Sequence, residues 1–112
     1  MEYRCPIETT LSLISGKWKV LILKELIKEP VRYGALKKRI PRISSKVLTQ
    51  QLREMEKDGL ILREIFAEVP PRVEYTLTGM GWDLIPLIDH MREYGAKWLN
   101  DGSPSEEYES RE

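Results

Sequence analysis

The segment from Ser44 to Thr78 constrains the fold more than any other part of this chain. It opens with a serine suited to cap a helix, and Leu48, Leu52 and Met55 then recur on one stripe at helical spacing. The helix predicted by that stripe runs to about Asp58, where Gly59 supplies a left-handed stop. Two extended runs follow, Ile61 to Val69 and Arg72 to Thr78, joined at Pro70-Pro71, where neither residue can donate to a sheet ladder. The second run alternates, with Val73, Tyr75 and Leu77 on one face and Glu74 and Thr76 on the other. An amphipathic helix feeding a stiff-tipped hairpin leaves the rest of the chain to complete the core.

Upstream, Ile7 to Ile14 reads as a short helix entered through Pro6 and punctuated by Gly16. Lys17 to Ile27 reads as a second helix whose middle, Val20-Leu21-Ile22-Leu23, is apolar nearly all round and so belongs in the core. Pro30 stops it, Val31-Arg32-Tyr33 is a short extended piece, and a third helix from Gly34 to Ile40 is closed by Pro41. Downstream, Thr78 caps a long helix of about Gly79 to Leu99, with Leu84, Leu87, Ile88, Met91, Gly95 and Trp98 as its apolar stripe. Gly79 and Gly81 weaken its first turn. This element order predicts a mainly α (α+β) fold, a winged helix-turn-helix with a two-stranded wing and a long C-terminal dimerisation helix. At 112 residues the chain is one domain, residues 1–100, followed by an acidic tail, residues 101–112, expected to be disordered.

Net charge is zero, but the charges are segregated. Between Arg32 and Arg53 there are seven bases and no acid, whereas the tail from Asp101 holds five acids against Arg111 alone. Residues 1–100 therefore carry a formal +4, concentrated in the middle, and a phosphate backbone responds to that local field. No apolar run approaches the ~20 residues of a membrane span, and MEYRCPIETT lacks the regions of a secretion signal. With a single cysteine and no disulfide framework, a cytoplasmic location is expected.

The capped helix has the chemistry of a major-groove reader. With Leu48, Leu52 and Met55 inward, rotation of about 100° per residue puts Lys46, Gln50, Arg53 and Lys57 outward and Thr49 at the edge. Gln pairs with adenine, Arg with guanine, and a Thr methyl meets thymine, while Ser45 lies in the first turn, whose free N–H groups hold phosphate. Glu54, Glu56 and Asp58 fall toward the far end, away from the groove. Arg72, beside the Pro-Pro tip, is a candidate for the minor groove, and Lys17 for a phosphate contact. The bland alternative, a solvated helix face, normally mixes acids with bases, and Ser44 to Arg53 does not.

Cys5 precedes a helix and neighbours Arg4, a setting that favours thiolate, although a buried inert cysteine is an equal reading. As the chain's only cysteine it can be oxidised only to an intersubunit disulfide, a mixed disulfide or a higher state. His90 is read as a surface or interface residue, since one His and one Cys make no metal site. Trp18, Trp82 and Trp98 are read as packing rather than as a ligand cavity. No phosphate loop or nucleophile elbow is present, so the chain is not read as an enzyme, and no cofactor is expected.

Three strings in order, CPIETTLSLISGKWKVLIL, ISSKVLTQQLREMEKDGLI and EVPPRVEYTLTGMG, resemble the HxlR family of bacterial winged helix-turn-helix regulators, relatives of the MarR type. The resemblance covers about Cys5 to Trp98. It implies a DNA-binding homodimer built from the N- and C-terminal helices, which usually represses and sometimes activates promoters near its own gene. Carried over by position, Ser44 through Arg53 becomes the recognition segment and Pro70-Pro71-Arg72 the wing tip. Cys5 matches a near-N-terminal cysteine that senses oxidants, quinones or aldehydes in some members. The expected partners are thus double-stranded DNA and a second copy of the chain, with a small-molecule or electrophile signal and no membrane. The rival from another class is a winged helix used for protein–protein assembly, which would bind DNA only weakly and salt-sensitively.

Overall fold

The computed structural model describes residues 5–100, so the acidic tail at 101–112 and Arg4 lie outside the described residues. The elements, in order, are α1 (Pro6–Ile14), α2 (Trp18–Glu25), β1 (Val31–Arg32), α3 (Tyr33–Arg39), α4 (Ser45–Lys57), β2 (Ile61–Phe66), β3 (Arg72–Leu77) and α5 (Gly79–Asn100). The winged helix-turn-helix order expected from the sequence is the order found. Contacts divide the chain into two compact units, one up to Trp82 and one from Asp83 onward, the second being the body of α5. Among the described residues no helix is long and apolar enough to cross a membrane.

In the first unit the core is built where the periodicity put it. Leu48, Leu52 and Met55 on α4 are buried, as are Ile22 and Leu23 on α2 and Leu36 on α3. Burying each such side chain is worth about 1.5–3 kcal/mol, enough for the three on α4 to fix that helix's rotation. The apolar run on α2 is less central than expected, since Val20 and Leu21 are only half-buried. Lys19, one residue before that run, is buried instead.

The sheet is antiparallel with order β1-β3-β2, so β3 is central and the two-residue β1 pairs with it through Val31↔Tyr75 and Arg32↔Glu74. The wing is the β2–β3 hairpin, in register from Ile61↔Leu77 to Phe66↔Arg72. β2 ends at Phe66, three residues short of the expected Val69, and residues 67–71 form the tip. Neither proline there can donate to a ladder, and Glu68 is turned toward Arg72, so pairing stops early. As the edge strand β2 buries only Ile61, whereas Tyr75 and Leu77 on central β3 are buried.

One hydroxyl joins α4, the wing and α5. Thr78 Oγ1 donates toward the carbonyls of Gly59, at 2.5 Å, and Leu60, at 3.1 Å, and accepts from the Gly81 N–H at 3.1 Å. Thr78 thus caps α5 as the sequence implied, and Gly59 ends α4 at φ +86°. Gly81 has a role beyond weakening a helical turn. A Cβ there would run into the Leu60 carbonyl oxygen and sit 3.2 Å from Leu77 Cδ2, whereas a Cβ at Gly79 would meet open space.

These surroundings predict opposite effects for two alanines in one helical turn. Gly81→Ala should lower stability by about 1–3 kcal/mol, the usual cost of overpacking. Gly79→Ala should raise it by up to about 1 kcal/mol. Thermal denaturation reads both, and equal melting temperatures for the two variants would rule out the close approach as Gly81's reason.

Candidate nucleic-acid interface

α4 begins because Ser44, extended at φ −83° and ψ 159°, accepts the Val47 N–H on its hydroxyl at 3.1 Å. Its buried stripe turns the opposite side outward, and Ser45, Lys46, Gln50, Arg53 and Lys57 are all exposed. Thr49 is half-buried at the edge. Ser45, Lys46, Thr49, Gln50 and Arg53 line one shallow cleft, so five of the seven residues singled out for DNA lie together.

Tyr33, the first residue of α3, fixes this edge and was not picked out from sequence. Its hydroxyl is 3.0 Å from the Ser45 carbonyl oxygen and 3.0 Å from Thr49 Oγ1. A carbonyl only accepts, so the Tyr33 proton goes to Ser45 and the Thr49 hydroxyl donates to Tyr33. With its proton committed, Thr49 has its methyl left to offer a base, the contact expected of it.

Lys19 is a second tether that the sequence did not reveal. Its ammonium lies 2.9 Å from Glu54 Oε1, with the lysine side chain 8% exposed and the glutamate 44%. Glu54, expected to point away from the groove, lines the same cleft as Lys46, Gln50 and Arg53. Its charge there is matched by Lys19 rather than left facing a phosphate.

The two outlying candidates are placed elsewhere. Lys17 is exposed, its ammonium 4.6 Å from the Trp18 ring centroid, and it lines neither cleft beside α4. Arg72 is not a free cation at the wing tip. Its guanidinium is held by Glu68 at 2.9 Å and Glu74 at 2.6 Å and lies 4.0 Å from the Phe66 ring centroid, with the side chain 25% exposed. Two carboxylates and an aromatic face hold the cation through its terminal nitrogens, leaving Nε buried without a partner among the described residues, and its geometry is that of a wing brace.

Cys5 is the N-cap of α1, half-buried, with its Sγ accepting the Glu8 N–H at 3.4 Å. Of the tryptophans, Trp82 is 47% exposed and Trp18 and Trp98 are half-buried, so they pack at the margin of the core rather than inside it. Among the described residues no group of His, Cys, Asp and Glu could hold a metal ion.

Comparison with known proteins agrees with this fold. The family model for HxlR-like helix-turn-helix proteins matches residues 13–103. An uncharacterised HTH-type transcriptional regulator of Bacillus subtilis, YdeP, is 49% identical over 94 residues, covering 84% of this chain and 73% of its own. The redox regulator HypR, solved in its oxidized form, superposes with a TM-score of 0.79 at 42% identity, covering 83% of this chain and 96% of that one. The reduced form of the transcriptional regulator YodB from B. subtilis superposes at 0.78 with 31% identity, covering 90% of this chain and all of that one.

The unequal burial of Lys19 and Glu54 makes the two ends of their pair unequal. Glu54→Ala leaves a buried ammonium without its partner and should cost about 1–3 kcal/mol. Lys19→Met, which keeps the buried volume and leaves a carboxylate that water reaches, should cost under about 1.5 kcal/mol. Urea denaturation measures both, and a costlier Lys19→Met would contradict the assignment.

Proposed function

The chain belongs to the HxlR-like helix-turn-helix family of transcriptional regulators, and from that premise we propose that it is a sequence-specific repressor acting as a homodimer, with α4 in the major groove. The observation that carries this reading is the α4 face. Lys46, Gln50 and Arg53 are exposed together, and none is engaged by an ion pair or hydrogen bond among the described residues. Such side chains can meet phosphate and base edges without first breaking a protein contact. Gln50 and Arg53 take the base-reading roles, Lys46 and Ser45 the phosphate-facing ones, and Thr49 offers its methyl. Lys17 makes an outer phosphate contact, and the wing acts as a rigid flank braced by Arg72.

Two apolar faces support a dimer. α1 leaves Ile7 and Leu11 exposed one turn apart, and α5 leaves Leu87, Met91 and Tyr94 exposed at helical spacing. Stripes of this kind on terminal helices suit burial against a second copy. A two-fold assembly presents two α4 helices to half-sites about one helical turn, or a multiple, apart.

Electrophoretic shift on the DNA upstream of the protein's own gene tests the reading. Arg53→Ala and Gln50→Ala should each weaken specific binding by about 1–3 kcal/mol while leaving the melting temperature unchanged. Operator affinity equal to wild type for Arg53→Ala, or a chain that stays monomeric on the DNA, would overturn the assignment.

Cys5 is the proposed sensor of the signal. The reading draws on the likeness to a redox regulator and on a sulfur that already receives a backbone N–H at a helix start. With one cysteine per chain, diamide should couple two Cys5 thiols across the dimer, each losing a proton as the reagent takes up two hydrogens. A doubled mass on non-reducing gels with altered operator affinity, both absent in Cys5→Ser, is the expected result. Oxidation that leaves affinity unchanged would remove Cys5 as a sensor.

A further inference from the structure

Beside the α4 face, between α4 and the base of the wing, lies a second cleft of about 300 Å³, within the size range of small-ligand sites. Its most unusual member is Tyr75 on central β3. This residue is more than nine-tenths buried at 8% exposure, yet its hydroxyl has no hydrogen-bond partner among the described residues. The ionisable groups that its hydroxyl feels are Arg63, Glu56, Tyr33 and Arg53, all of which line the cleft. Burial raises the phenol above its ordinary value, so the group stays protonated and acts as a donor. Tyr75 lines the cleft, so its unpartnered hydroxyl is available to donate to an occupant that accepts.

The remaining lining decides which occupant fits. Arg53 makes no ion pair among the described residues. Arg63 approaches one carboxylate, Glu56, through Nε at 3.8 Å, beyond hydrogen-bond distance. Two guanidiniums against one carboxylate leave the cleft net positive. Tyr33 and Thr49 are already bonded to each other and to Ser45, so they wall the site rather than serve it. Leu52 supplies an apolar floor. The free groups are donors, and they converge on a space with positive charge.

We propose that this cleft is an oxyanion site, taking one phosphate or carboxylate group against the Arg63 guanidinium and the Tyr75 hydroxyl, with the Arg53 charge at its border adding to the field. Two sources supply that chemistry: a backbone phosphate of the bound duplex, or a free small anion. The first rests on the DNA-binding reading above, because Thr49 and Arg53 line both this cleft and the α4 face. The second stands without it.

Two variants and two probes test the site. Tyr75→Phe removes one hydroxyl, Arg63→Gln one exposed cation, and thermal melts establish that both fold. If a duplex phosphate fills the cleft, Tyr75→Phe should bind operator and unrelated duplex about tenfold more weakly alike, the loss of one bond to an ionised group. Arg63→Gln should then flatten the slope of log affinity against log salt by about 0.9. If a free anion fills it, calorimetric titration of the DNA-free protein with inorganic phosphate or benzoate should saturate. That anion should weaken duplex binding by wild type, and Tyr75→Phe should lose both responses. The proposal is overturned if the folded variants bind DNA as wild type does and neither anion binds. A wild-type protein that ignores DNA would sink the regulator reading, while the titration would still decide this one.

Discussion

The burial of Leu48, Leu52 and Met55 determines what this molecule can offer to a partner. Three side chains on one stripe of a thirteen-residue helix, each worth about 1.5–3 kcal/mol in the core, leave α4 no alternative rotation. A turn of about 100° would draw Lys46 or Arg53 into an apolar core and expose leucine instead. The outward face is therefore a consequence of the inward one. The other contacts of α4 refine that choice: the Ser44 cap sets where the helix starts, Tyr33 holds its first turns to α3, and Lys19 holds Glu54 from α2.

What could be read from the sequence was what local rules govern. The stripe on α4, the serine cap, the left-handed Gly59, the alternation on β3 and the Thr78 cap each depend on neighbours within a turn or a strand, and each is found. The missed features join residues far apart in the chain. Tyr33 reaches Thr49 across 16 positions, and Lys19 reaches Glu54 across a helix and a strand. No periodicity announces that a lysine will be buried or that a tyrosine will cross-link two helices. Gly81 shows the same limit: helix propensity marked it as a weakness, whereas its value lies in how closely Leu60 approaches, which only the fold reveals. β2 fell short of its expected length because the rule that keeps prolines out of ladders says nothing about how many residues the turn beside them needs.

Charge was the least legible property, because a formal count does not distinguish a satisfied ion from an available one. Arg72 and Arg53 look alike in sequence, each a lone arginine near a plausible DNA contact. The fold separates them. Arg72 has two carboxylates and a ring around it, so moving it onto a phosphate would exchange one set of ionic contacts for another with little net gain. Arg53 has no such contact to break. Arg39, within the acid-free run, is likewise drawn back by Glu29 at 3.5 Å and Glu25 at 4.0 Å, so the run's count of bases overstates its available charge.

The same distinction explains how a chain of zero net charge can hold a strong local field. Acids are placed against the cations that brace the structure: Glu54 on Lys19, Glu68 and Glu74 on Arg72, Glu29 on Arg39. Lys19 with Glu54 is nearly neutral from outside, and Arg72 between two carboxylates carries a negative excess, so neither adds positive field at a distance. Subtracting them leaves the exposed cations of α4, with Arg63 only loosely paired at the wing base, as the source of field on that side. Selectivity for an anionic partner thus comes less from how many bases the chain carries than from which of them its own acids leave alone.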